Sequence, residues 1–252
     1  MRRGSAASHT AALEECKVES VKRKVDLANQ NQKHTNERTH TMDYIQDVER
    51  KVANAIRLFR DHKAELTHCG TFEVLDWRRP GSGIYAVRIV FDTGRNNVAY
   101  ITGDLGCAII RPTCKAALHD MACCFTSRDS DGKMRVDTSY FMEKFETSSC
   151  RHEWSKETFV EDFKNQCEQT ALEPPENFIE DIESGWYSPV DFFDHTRPPC
   201  ISERGRKDLA KMDEEYQSWI YDCGKRVSNR VIAWMVALRL ASDQVGYKAD
   251  KQ

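Results

Sequence analysis

The sequence lacks long hydrophobic runs. Its longest uninterrupted apolar stretch, residues 231–238, lies between Arg230 and Arg239. A membrane-spanning helix needs about 20 apolar residues. The opening residues, MRRGSAASHTAALEECK, also lack the apolar segment of a secretory signal peptide. We therefore expect a protein of the cytoplasm with no membrane partner.

The common catalytic motifs are also missing. The chain contains no glycine-rich phosphate loop, no HExxH pair and no GxSxG segment. A sequence without these motifs can still be an enzyme, but none of its residues is assigned a catalytic role. We therefore expect a non-enzymatic protein that needs no cofactor, and an enzyme is retained as the alternative.

Charge is distributed unevenly, although the formal net charge is only −3. Residues 153–194 hold twelve Asp or Glu against two Lys, a net charge of −10. This stretch disfavours direct binding of nucleic acid, because the phosphate backbone attracts basic surfaces. Residues 1–41 are mildly basic, with eight Lys or Arg against five Asp or Glu. A contact between this basic arm and nucleic acid is therefore retained as one functional hypothesis.

Aromatic residues are absent from residues 1–41. Such a polar segment buries too little surface to offset the entropy lost on ordering. We predict a disordered or loosely helical extension over residues 1–41. A single α+β domain is predicted over residues 42–252.

Ten cysteines are present. In a reducing compartment most of them should be free thiols. Four cysteines and one histidine within 18 residues are candidate zinc ligands, but no CxxC pair fixes two thiolates in tetrahedral reach. We therefore expect no metal, and we retain a metal-binding protein or enzyme around this group as the alternative. The group is Cys107, Cys114, His119, Cys123 and Cys124.

Local patterns predict the secondary structure. Residues 72–77, 84–91 and 98–102 are rich in β-branched and aromatic side chains and are separated by turn residues, which is typical of a β-meander. Helices are predicted from residue 41 or 43 to near residue 69, and over residues 115–125, 139–145, 156–167, 175–183, 204–223 and 227–244. The last is apolar almost all round and should be buried. The fold class is therefore α+β, with a small antiparallel meander of three to four strands packed against several helices.

Two candidate sites follow from these patterns. Gly103, Asp104 and Gly106 end the third strand, where they form either a tight turn or a ligand loop. In the acidic stretch, aromatic side chains alternate with carboxylates. Either these aromatics form helical core faces with solvated acidic backs, or they anchor a partner protein that carries a basic surface. In the second interpretation the partner-binding residues are Glu161, Glu168, Glu180, Trp186, Tyr187 and Asp191.

Two motifs carry a resemblance to a known family. The chain resembles a family of uncharacterised accessory proteins from bacteriophages and prophages, with the pattern W-x-x-P-G-S-x-x-Y-x-V followed by Y-I-x-G-D-L-G. The resemblance implies a phage-encoded protein that acts inside a bacterial host. It further implies a counter-defence role, in which the protein binds and inhibits a host protein complex of the anti-CRISPR or anti-Gabija type. Homo-oligomers are left open. The matching residues are Trp77, Pro80, Gly81, Ser82, Tyr85, Val87 and residues 100–106.

Overall fold

The structure is a computed structural model that describes residues 44–149, 151–184, 190–192 and 197–246. It confirms the predicted α+β class. The predicted extension over residues 1–41 lies outside the described residues. In chain order the strands are β1 (Lys63–Cys69), β2 (Phe72–Arg78), β3 (Val87–Asp92), β4 (Val98–Gly103), β5 (Ala108–Ile110), β6 (Thr126–Arg128), β7 (Met134–Val136), β8 (Phe145–Ser148), β9 (His152–Trp154), β10 (Val190–Phe192), β11 (Cys200–Ile201) and β12 (Lys225–Val227).

Seven helices are described alongside these strands. They are α1 (44–58), α2 (Leu118–Phe125), α3 (Thr138–Glu143), α4 (Lys156–Thr170), α5 (Phe178–Ser184), α6 (Glu203–Met212) and α7 (Asn229–Val245). Within the described ranges, no helix is both long and apolar enough to cross a membrane.

The main sheet has six antiparallel strands in the order β1-β2-β3-β4-β5-β8. The predicted meander is its centre, β2 to β4. Alternation along β2 and β3 buries one face completely, because Leu75 pairs with Ile89 and Trp77 pairs with Val87. The sheet exceeds the predicted three to four strands because β1 joins one edge and the short strands β5 and β8 join the other.

The first helix is shorter than predicted. It ends at residue 58, and the segment predicted to continue it forms β1. Ala64 and Leu66 alternate with polar residues and pack partly against the core. Gly70 adopts a φ of +63° in the turn that pairs Cys69 with Phe72. A two-residue turn of this kind favours a hairpin over a helix.

The C-terminal helix α7 lies at the centre of the main core, as its apolar sequence predicts. Ser228 caps its first turn by accepting a hydrogen bond from the Val231 amide at 3.3 Å. The side chains from Val231 to Leu238 are all buried, and they pack on α2 and the sheet. A helix buried on every side needs no polar face.

A second hydrophobic cluster is formed by residues that lie between β9 and β12 in the sequence. The strands β9 and β12 pair antiparallel, so the two ends of this part of the chain lie side by side. Phe159, Phe163 and Phe178 form the aromatic part of this cluster, together with Leu209 and Ile220. The helix α4 begins at Lys156 after a Ser155 cap, as predicted, because the Ser155 side chain accepts a hydrogen bond from the Thr158 amide.

The helix predicted over residues 204–223 is interrupted. The helix α6 ends at Met212, and two short 3₁₀ turns, Tyr216–Ser218 and Ile220–Asp222, follow it. Asp213 is extended, with a φ of −153°, and its carboxylate accepts hydrogen bonds from the Glu215 amide and the Trp219 indole. An aspartate that binds the following backbone in this way competes with helix continuation.

Candidate functional site

Six exposed carboxylates lie on α4, on α5 and on the segment between them. We call this set the acidic face. None of the six forms an ion pair with another described residue. On α4, the glutamates at positions 157, 161 and 168 lie within one narrow strip of the helix surface, because four and eleven residues are close to whole numbers of turns. The acidic face comprises Glu157, Glu161, Glu168, Glu173, Glu176 and Glu180.

Other acids of the same stretch are bound within the protein. The Asp162 carboxylate makes a two-pronged ion pair with the Arg226 guanidinium, at 2.7 and 2.9 Å. This pairing raises the pKa of Arg226 against the opposing effect of burial. Asp181 pairs with Arg204 at 3.1 Å. The free negative charge is therefore concentrated on the acidic face and is smaller than the sequence count.

The described aromatic side chains of this stretch belong to the core. Trp154, Phe159, Phe163 and Phe178 are buried, and the rings of Phe163 and Phe178 stack 4.7 Å apart. These four aromatic side chains are therefore core residues and not exposed anchors for a partner.

The predicted partner-binding residues fall into two groups. Glu161, Glu168 and Glu180 are exposed on the acidic face. Trp186 and Tyr187 lie outside the described residues, and Asp191 lies in β10, where its side chain is also outside them.

The loop of Gly103, Asp104 and Gly106 contacts the backbone of the residues just before β3. The Asp104 carboxylate accepts a hydrogen bond from the Tyr85 amide at 2.8 Å, and the Asp104 amide donates to the Ala86 carbonyl at 2.9 Å. Gly103 adopts a φ of +131°, and a Cβ there would overlap the Ala86 carbonyl oxygen. Both glycines are therefore explained by backbone conformation and close approach, and Asp104 already holds a backbone partner.

The cysteine group is spread over several environments. Cys107 and Cys123 are exposed, whereas Cys114 and Cys124 are half-buried. The Cys123 thiol contacts the His119 imidazole at 3.5 Å. Burial and the neighbouring Cys124 thiol raise the pKa of Cys114 to about 12. Among the described residues, no group of three or more His, Cys, Asp or Glu could hold a metal ion.

A buried lysine connects α1 with the paired strands β9 and β12. The Lys51 ammonium group donates to the Val227 carbonyl at 2.8 Å and pairs with Asp47 at 2.9 Å and with Glu153 at 2.7 Å. Glu153 also accepts a hydrogen bond from the Asn229 amide at the start of α7. These residues line a cavity of about 430 Å³. Because each charge there already has a partner, the cavity is best explained as a structural junction.

A further cleft lies between the end of α1 and the loop that joins β2 to β3. We call it the basic cleft. It has a volume of about 370 Å³, and the sequence reasoning did not identify it. The pairs Arg57 and Arg60 at the end of a helix, and Arg78 and Arg79 before the proline turn, were the available signal. The residues that matter for its chemistry are Arg57, Arg60, His62, Arg79, Ile84 and Tyr85.

Comparison with known proteins adds no assignment to this geometry: no protein-family model, no curated protein and no solved structure matches the chain.

Proposed function

We propose that this protein is a non-enzymatic binding protein that docks its acidic face onto the basic surface of a partner protein. The observation that carries the proposal is the set of six exposed carboxylates, none of which pairs with a described residue, whereas Asp162 and Asp181 on the same helices are paired internally. Unpaired charge of one sign raises the association rate with an oppositely charged surface.

The scaffold beneath this face supports a binding role. The helices α4 and α5 share a core of their own, and the stacked rings of Phe163 and Phe178 hold them together. Carboxylates fixed on packed helices lose less entropy on binding than carboxylates on a mobile segment. A partner with lysine or arginine side chains on a matching surface would therefore find a preformed surface.

The nature of the partner is a further part of the proposal. The resemblance of the meander motifs to phage accessory proteins supports a bacterial host protein as the target. Occupying a basic surface that normally contacts nucleic acid would inhibit that target without any chemistry. This is the counter-defence role that the resemblance implies.

Capture from a bacterial lysate tests the proposal. The tagged protein is used as bait, beside the triple variant Glu161→Lys, Glu168→Lys and Glu180→Lys. We expect the wild type to retain a partner at low salt and to release it as salt rises, because exposed charges are screened within about 10 Å at 0.1 M salt. The triple variant should retain much less of the same partner.

A second triple variant serves as the matched control. Asp131→Lys, Glu143→Lys and Glu214→Lys reverse three exposed acids outside the acidic face. The control should capture the partner like the wild type, and both triple variants should keep the wild-type melting temperature. If the face variant and the control capture equally, the acidic face is only a solvated surface and the proposal is wrong.

A further inference from the structure

The basic cleft carries positive charge that the fold leaves unpaired. Among the described residues, the guanidinium groups of Arg57, Arg60 and Arg79 have no carboxylate partner within ion-pair distance, although Asp61 also lines the cleft. The adjacent Arg78, by contrast, pairs with Glu65 at 3.3 Å. Three arginines against one aspartate give the cleft a local charge of +2 in a chain whose net charge is −3. An anion is the complementary ligand.

The floor of the cleft contains a buried imidazole. His62 is only 3% exposed, and neither ring nitrogen makes a hydrogen bond of normal geometry with a described residue, although the Tyr85 backbone is close enough to act on the pKa of the ring. The ring is held between Phe59, with centroids 4.8 Å apart, and Trp77, at 5.6 Å. Buried polar groups are normally hydrogen-bonded, so an unsatisfied imidazole in a positively charged cleft is available to a ligand.

The outer wall of the cleft is apolar and aromatic. Ile84 is 64% exposed, more than any other large hydrophobic side chain among the described residues, and the neighbouring Tyr85 is 40% exposed. Tyr85 adopts a φ of +56°, in the left-handed region, and the Asp104 carboxylate holds its amide there. A strained residue that its surroundings hold in place is common at ligand sites. The ring is therefore preset as a stacking surface for a planar group.

We propose that the basic cleft binds a small ligand that joins an anionic phosphate to a planar ring, of the nucleoside monophosphate class. The arginines receive the phosphate, and Ile84 and Tyr85 cover the face of the ring. An acceptor oxygen of the ligand, at the floor of the cleft, forms a hydrogen bond with the His62 ring. The cleft volume of about 370 Å³ falls in the range of small-molecule sites. This site is separate from the acidic face and does not depend on it.

Calorimetric titration of the full chain tests the proposal. The probes are the four ribonucleoside 5′-monophosphates, the matching nucleosides and inorganic phosphate, each at low salt. At least one monophosphate should bind with a dissociation constant below about 1 mM. Arg79→Gln should weaken it by about tenfold or more, because a charge-assisted hydrogen bond is lost. The control Arg95→Gln, at an exposed arginine outside the cleft, should bind normally.

A second variant separates the ring from the phosphate. Tyr85→Asn removes the stacking surface, while asparagine tolerates the left-handed backbone. The Tyr85→Asn variant should bind the monophosphate more weakly, and its melting temperature should stay near that of the wild type. The triple reversal of the acidic face should leave monophosphate binding unchanged, so the two proposals can fail separately. If no monophosphate binds at 1 mM, or if inorganic phosphate binds as tightly as the monophosphates, the proposal is wrong.

Discussion

The buried Lys51 allows a quantitative prediction about stability. Its side chain is 3% exposed, and its ammonium group contacts two carboxylates and one carbonyl. These contacts connect α1 with β9 and with the end of β12. Replacing Lys51 with methionine keeps the apolar stem but removes the charge.

The size of the effect follows from the burial of the two acids. Removing one member of a fully buried ion pair costs about 3 to 5 kcal/mol, because a charge is left without compensation. The partners here retain some contact with water, since the side chains of Asp47 and Glu153 are 20% and 26% exposed. We therefore expect Lys51→Met to lower the free energy of unfolding by about 2 to 3 kcal/mol. For a chain of this size that corresponds to a melting temperature lower by about 5 to 10 °C.

Urea unfolding of three proteins measures this effect. Beside Lys51→Met, the double variant with Glu153→Gln should recover part of the loss, because one uncompensated charge is removed. Lys115→Met, at an exposed lysine, is the control and should change stability by less than about 0.5 kcal/mol. If Lys51→Met is as stable as this control, the junction does not contribute to stability and the reasoning is refuted.

Three further predictions concern other parts of the chain. Gly103→Ala should destabilise the protein by about 2 kcal/mol or more, because of steric overlap and backbone strain, whereas Gly132→Ala, with φ of +76° but open space, should cost only about 1 kcal/mol in a urea titration. Alkylation followed by mass spectrometry should modify the exposed cysteines of the native protein first, and Cys167 and Cys223 only on unfolding, because burial raises their pKa values to about 11 and about 12. Burial, reinforced by the charge of Arg79 and opposed by the Tyr85 backbone, lowers the pKa of His62 below its usual value of 6.5, so the unfolded chain takes up this proton first. The contribution of His62 to stability is therefore complete above about pH 6.5 and is lost as the pH falls towards the lowered pKa, and His62→Phe should make the melting temperature less dependent on pH in this range.

Features that depend on local sequence were predicted well. The strands β2 to β4 alternate strongly and are separated by proline and glycine turns, and the N-cap at Ser155 needs only neighbouring residues. The helix α7 was evident because nearly all its residues are apolar. In each case the determinant lies within about one turn or one hairpin of the element itself.

Features that depend on tertiary contacts were not predicted. The strands β5 and β8 have three and four residues, and they become strands only because β5 pairs with the free edge of β4 and β8 pairs with β5. The sequence of β1 predicts a helix instead, because its alternation of apolar and polar residues is weak and the segment comes soon after α1. The basic cleft joins residues from the end of α1 with residues more than twenty positions later, so no window of sequence contains it. Its orphaned His62 is visible only once burial is known.

The proposed function places the acidic face in contact with the partner. Cross-linking of the complex captured from lysate tests this contact most directly. The reagent is a carbodiimide, which joins a carboxylate to an amine without a spacer. Mass spectrometry should then find Glu161, Glu168 or Glu180 joined to lysines of one partner, and these links should disappear at high salt. Links that instead arise only from acids outside α4, α5 and the segment between them would contradict the account.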